Sequence, residues 1–312
     1  METFSSQVIR HIRAREFNPQ TLLKAPGHAI DYLLTAGVSQ NEIYNVESSE
    51  NYQGIKGLGL YKYFMRYPLF LGDKLPKETW LKSSCKFLTF PKNSRLNVYV
   101  TEPVTDRNKA VHTNDFINRI PEAIASFTGP TVIRNLPNNG FYIADREDSF
   151  EPFEDTKPSN KRRGAIAIMK DGRVELVDDI KKWKIVRSNF VGYQVLSGTS
   201  FYFTNEDETV LPEYMNEGQR SQVSYLVQYS GNDSQERLCF MVTDSKVSRF
   251  VAKGLIDHFI KDRGGKSYMA VELDLTDSNC VVKVNGKAKP LRKGGFPLRR
   301  DHYVIESSPT AL

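Results

Sequence analysis

The residues best placed to do chemistry lie in one stretch, Ser267–Lys287 (SYMAVELDLTDSNCVVKVNGK). An apolar run, Tyr268–Leu275, carries Glu272 and Asp274 within it, and Thr276, Asp277, Ser278 and Asn279 follow as a polar knot. A second β-rich run, Cys280–Val284, leads into Asn285-Gly286, so the pattern is strand, polar loop, strand, tight turn. Acidic and hydroxyl groups in a loop between two buried strands make a polar site on a rigid base. The same pattern fits an ordinary hairpin whose loop is polar because water touches it, and the stretch alone leaves both readings open.

Other chemistry-bearing patterns are weaker. His11, His28, His112, His258 and His302 are scattered, and no Gly-x-Ser-x-Gly elbow supports a serine hydrolase. Gly54–Gly59 (GIKGLG) lacks the Gly-Lys-Ser/Thr ending of a phosphate-binding loop. Glu147, Asp148, Glu151, Glu154 and Asp155 read as a solvated acidic loop without the spacing of a calcium motif. Cys85, Cys239 and Cys280 have neither disulfide-framework nor metal-site spacing, so reduced thiols, a cytoplasmic setting, no metal and no cofactor are expected.

The elements that must carry these residues come next. The chain has 312 residues, 39% hydrophobic and 26% charged, which is one large or two ordinary globular domains. Residues 1–45 read as helical, with Val8, Ile9 and Ile12 on one face and Ala29–Ala36 closed by Gly37. No secretory signal and no membrane-spanning run is expected. The proline- and lysine-punctuated stretch Pro76–Lys92 suggests a boundary, giving a helical or mixed region at 1–90 and a second domain at 91–312. The second domain reads as many short strands, among them Leu96–Val100, Gly164–Met169, Arg220–Gln228, Leu238–Val242 and Tyr303–Glu306. Phe116–Phe127 reads as a short helix broken by Pro121, and Ser248–Lys261 as the clearest helix, stopped at Gly264-Gly265. Tyr193–Leu196 and Phe201–Thr204 read as separate strands around Ser197-Gly198. The expected fold class is α+β: mainly antiparallel short strands with few helices, after a smaller, partly helical N-terminal region.

The order of these pieces resembles the phosphodiester glycosidase family. The counterparts of its motifs are Asn139-Gly140-Phe141-Tyr142, the hairpin Gly164–Gly172, Arg220-Ser221-Gln222, the helix Ser248–Lys261, Leu273–Ser278, Val281–Gly286 and Arg299-Arg300. The match covers about residues 95–306. The family's three glycines after the aspartate are Leu275, Thr276 and Asp277 here, bulkier residues that narrow a backbone approach to ligand.

The resemblance implies a hydrolase that cleaves the glycosidic bond of a sugar phosphodiester or related anionic glycan. It places Asp274 and Asp277 as site carboxylates for acid/base work and Arg220 as a bidentate phosphate clamp. Asn139 and Gly140 become a polar wall and backbone donor, with Ser278 and Arg299 in the same pocket. The other function class is a non-catalytic binding protein of the same fold. A net charge of +6 and the clusters Lys161-Arg162-Arg163, Lys181-Lys182, Arg292-Lys293 and Arg299-Arg300 would then meet an anionic polymer such as RNA, or another protein.

Overall fold

The computed structural model describes residues 44–51, 57–68, 80–92, 94–100, 111–127, 141–143, 163–168, 174–177, 194–206, 222–233, 235–244, 247, 249–273, 280–292, 298–299 and 301–307. In chain order the strands are β1 (Tyr44–Asn51), β2 (Gly59–Pro68), β3 (Trp80–Thr89), β4 (Arg95–Val100), β5 (Val111–His112), β6 (Ala123–Phe127), β7 (Phe141–Ile143), β8 (Arg163–Ile168) and β9 (Val174–Val177). They continue as β10 (Gln194–Thr204), β11 (Ser224–Ser230), β12 (Glu236–Thr243), β13 (Ser267–Glu272), β14 (Cys280–Val284), β15 (Lys287–Pro290), β16 (Leu298–Arg299) and β17 (Asp301–Glu306). Two helices accompany them among the described residues, α1 (Thr113–Asn118) and α2 (Arg249–Asp262).

A ten-stranded sheet runs β1-β2-β3-β12-β11-β13-β10-β8-β9, with β7 also on β10, and a five-stranded sheet runs β15-β14-β6-β17-β4. Every pairing among the described residues is antiparallel, as in β11 against β12 and β13, and β17 against β4 and β6. The mainly antiparallel expectation therefore holds. β1, β2 and β3, all from the first 90 residues, are part of the large sheet, and β3 pairs directly with β12.

Strand alternation explains the layering, because successive side chains point to opposite faces. On β12, Phe240 and Val242 face the core shared with the small sheet, where Phe127 and Tyr303 meet them. The other face of the large sheet carries Tyr63, Phe87 and Tyr229, which pack around Phe259 of α2. The outer face of the small sheet carries Val281 and Val304, covered by Ile117 of α1. The order of layers is thus helix, large sheet, small sheet, helix.

Local chemistry sets the ends. α2 stops where Gly264 takes a φ of +66°, a conformation only glycine adopts cheaply, and its N–H donates to Lys261 O. Asn285 and Gly286 both have positive φ, the requirement of a type I′ turn, and they join β14 to β15.

Three expectations change. Tyr44 and Asn45, the end of the stretch read as helical, belong to strand β1, and the helices expected before them lie outside the described residues. Phe116–Phe127 is not one broken helix. α1 ends at Asn118, and Ala123–Phe127 is a fully buried strand inside the small sheet. An apolar run buried on both faces has no period-two signal, so tertiary pairing decides its conformation. Finally, the two strands expected around Ser197-Gly198 are one strand, β10, whose register shifts between Ser197 and Phe201.

Candidate functional site

The antiparallel order brings several strand termini to one end of the large sheet. β11 starts there, β12 and β13 finish there, and the N-terminal half of β10, which pairs with β7, extends past β13 on that side. Lys86 pairs with Val242, Val242 with Ser224, and the Leu273 N–H donates to Ser224 O at 2.9 Å. Four neighbouring strands therefore form one row, roughly 14 Å wide at the usual strand spacing.

Polar side chains gather at this row. The Lys86 ammonium donates to Asp244 Oδ1 and to Leu291 O, each at 2.7 Å. Asp244 also accepts from Ser84 Oγ at 3.5 Å, and its backbone carbonyl accepts from Gln222 Nε2 at 3.1 Å. Lys86 is 17% exposed, so the pair sits in a half-dry corner where charge interactions are strengthened. An ammonium has three donors, and the third has no partner among the described residues. On the opposite face of the sheet, buried Glu272 accepts a hydrogen bond from Tyr225 Oη at 2.9 Å.

The residues assigned from sequence stand relative to this corner as follows. Asn139, Gly140, Arg220, Asp274, Asp277 and Ser278 lie outside the described residues. Their described neighbours in the chain, Phe141, Gln222 and Leu273, sit on strand ends or adjoining turns on this side of the sheet. Arg299 lies on β16, where its backbone pairs with Val111. Sequence reasoning missed Lys86 and Asp244. The pair is 158 residues apart in the chain, and nothing local announces it.

The other end of the same sheet carries a cleft of about 840 Å³ between the start of β2, the end of β3 and the β11–β12 hairpin. Arg237 and Asp244 mark the two ends along β12, roughly 24 Å apart by strand rise. Burial pushes the Tyr229 phenol in this cleft up to about 12, the buried Cys239 thiol adds to the rise, and Arg237 and Arg263 work against it. Burial raises the thiols of Cys85, Cys239 and Cys280, so all three are poor nucleophiles in the fold. Among the described residues no group of three or more His, Cys, Asp or Glu side chains is arranged to hold a metal ion. No described helix is long and apolar enough to cross a membrane.

No family model matches the chain, and no curated protein matches it. Among solved structures, the chain is similar to the catalytic domain of zebrafish N-acetylglucosamine-1-phosphodiester alpha-N-acetylglucosaminidase, auto-inhibited by its pro-peptide. The identity is 11% and the TM-score 0.49, over 85% of this chain and 89% of that one. It is also similar to a protein of Burkholderia pseudomallei at 9% identity and a TM-score of 0.41, over 84% and 96% of the two chains.

Proposed function

We propose that the chain is a hydrolase of sugar phosphodiesters or related anionic glycans, acting at the end of the large sheet where β11 begins and β13 ends. The observation that carries this reading is the Lys86 corner. It is a fixed ammonium with one donor to spare, in the same row of the sheet as Ser224 and Leu273. The two chain ends there lead directly to Arg220 and Asp274. In this reading Arg220 grips the phosphate through its planar fork, and the Lys86 ammonium adds a point charge. Asp274 and Asp277 supply the carboxylates that act as acid and base at the glycosidic bond. Asn139, Gly140, Ser278 and Arg299 orient the sugar. Three buried cysteine thiols suit the reducing, cytoplasmic setting of this reading.

The test is release of reducing sugar from a panel of sugar phosphodiesters. The wild type is expected to turn over at least one. Asp274→Asn and Arg220→Ala are each expected to lower kcat/KM by about a hundredfold or more while the thermal transition stays intact. Lys86→Met is expected to raise KM more than it lowers kcat. If the wild type releases no sugar from any diester, the hydrolase reading is lost.

A second reading rests on the replacement of three glycines by Leu275, Thr276 and Asp277. A protein so altered would keep the anion grip and lose catalysis, and an anionic polymer would be its partner. Its signature is nucleic-acid binding that weakens steeply with salt.

A further inference from the structure

The cleft at the far end of the large sheet has the size of a small-molecule site, since such pockets run to roughly 300–1,000 Å³. Its walls include Tyr61 and Tyr229 on the α2 side and Phe90, Leu238 and Val174 on the other. Three cations line it, Lys92, Arg237 and Arg263. Two of them are committed, because Asp233 Oδ2 lies 2.7 Å from Arg237 and 3.6 Å from Lys92.

Arg263 is different. Its guanidinium lies 3.6 Å from the centroid of the Tyr61 ring, and among the described residues its side chain has no carboxylate partner and no hydrogen bond. Stacking on an aromatic face leaves the edge donors of a guanidinium free to hold two oxygens side by side. The fold builds this stack deliberately. Gly59 has no side chain where a Cβ would lie 2.8 Å from Tyr61 Cε2, so the ring lies back over the strand.

We propose that this cleft binds a small ligand made of a flat aromatic body and one oxyanionic head, with Arg263 holding the head. Glu175 and Glu236 on the same walls exclude a polyanion, because with Asp233 they balance the three cations. This site is separate from the Lys86 corner and stands or falls without it.

The experiment is calorimetric titration of the full chain with 1-naphthyl phosphate and with adenosine 5′-monophosphate, each against its parent without phosphate. At least one phosphate is expected to bind saturably, and about tenfold or more tighter than its parent, a gap of about 1.4 kcal/mol. Arg263→Gln and Arg263→Lys are each expected to remove that gap. Arg263→Lys keeps the charge and loses the fork, and unchanged thermal transitions show that both variants fold. No saturable binding of either phosphate at millimolar concentration overturns the proposal. So does a phosphate preference that survives both Arg263 variants.

Discussion

Phe259 is the side chain through which α2 grips the large sheet. Its ring stacks on Phe87 at 4.1 Å with the planes 1° apart, and Tyr63 meets it edge-on at 5.6 Å. Truncating a fully buried phenylalanine removes its transfer free energy and leaves a cavity. Phe259→Ala is expected to cost about 3–5 kcal/mol, read as a lower urea midpoint at unchanged slope. His258 beside it tests the electrostatics of the same contact. It is 8% exposed, edge-on to Tyr63, with Nε2 3.6 Å from Asp262. Burial lowers its pKa from 6.5, Asp262 opposes that shift, and Lys261 reinforces it. The unfolded chain therefore binds more protons in the interval between the folded and unfolded pKa values. Stability is full above the unfolded value and falls as the pH drops through it, until the folded value is passed. The slope of that loss is at most about 1.4 kcal/mol per pH unit. Urea unfolding at pH 7.5 and 5.5 should show a larger loss for wild type than for His258→Gln, and equal losses would refute the assignment.

At the scale of elements, the sequence was legible where local chemistry decides. The apolar stripe of α2, its stop at Gly264, and the Asn285-Gly286 turn all follow from residues within a few positions of one another. β6 was not legible, because Ala123–Phe127 gives no alternation and only its neighbours β14 and β17 make it a strand. The Lys86–Asp244 pair was hidden for the same reason: it is a product of β3 pairing with β12. Gln228 is a third example. It lies on β11, yet its Nε2 donates to Val174 O at 2.8 Å and its Oε1 accepts from Leu176 N at 3.0 Å. A side-chain amide here imitates a neighbouring strand and ties down β9, the last strand of the sheet. Gln228→Leu would leave both backbone groups of β9 without that partner. The expected cost is about 1–3 kcal/mol, with faster hydrogen exchange at the Leu176 amide. Unchanged exchange there would show that β9 is held by its β8 ladder alone.

The small sheet depends on its last strand, β17, meeting segments from far earlier in the chain. The small sheet is assembled from segments far apart in sequence: β17 lies between β6 and β4, with Tyr303, Val304 and Ile305 almost wholly buried. Tyr303 and Ile305 belong to the core shared with the large sheet, while Val304 meets Ile117 of α1. One short strand therefore contributes to two apolar layers at once. Its hydrogen bonds run to both neighbours, so no ladder on either side is complete before it arrives. Outside the ladder, Asn97 Nδ2 and the Tyr99 hydroxyl both donate to the carboxylate of Glu306, and burial with that hydrogen bond raises the Tyr99 phenol. Closing such long loops costs chain entropy before any contact rewards it, which makes folding slow and late to commit. A chain ending at residue 297 would leave β4 and β6 as facing edges with an open groove between them. It would also expose the apolar rows on both sides, a recipe for edge-to-edge association. The expected result is that the truncated chain fails to give a cooperative urea transition and aggregates. Adding a peptide of residues 298–312 in trans should restore soluble protein. A cooperative transition in the truncated chain alone would mean that the large sheet with α2 folds as a unit and that β17 only completes it.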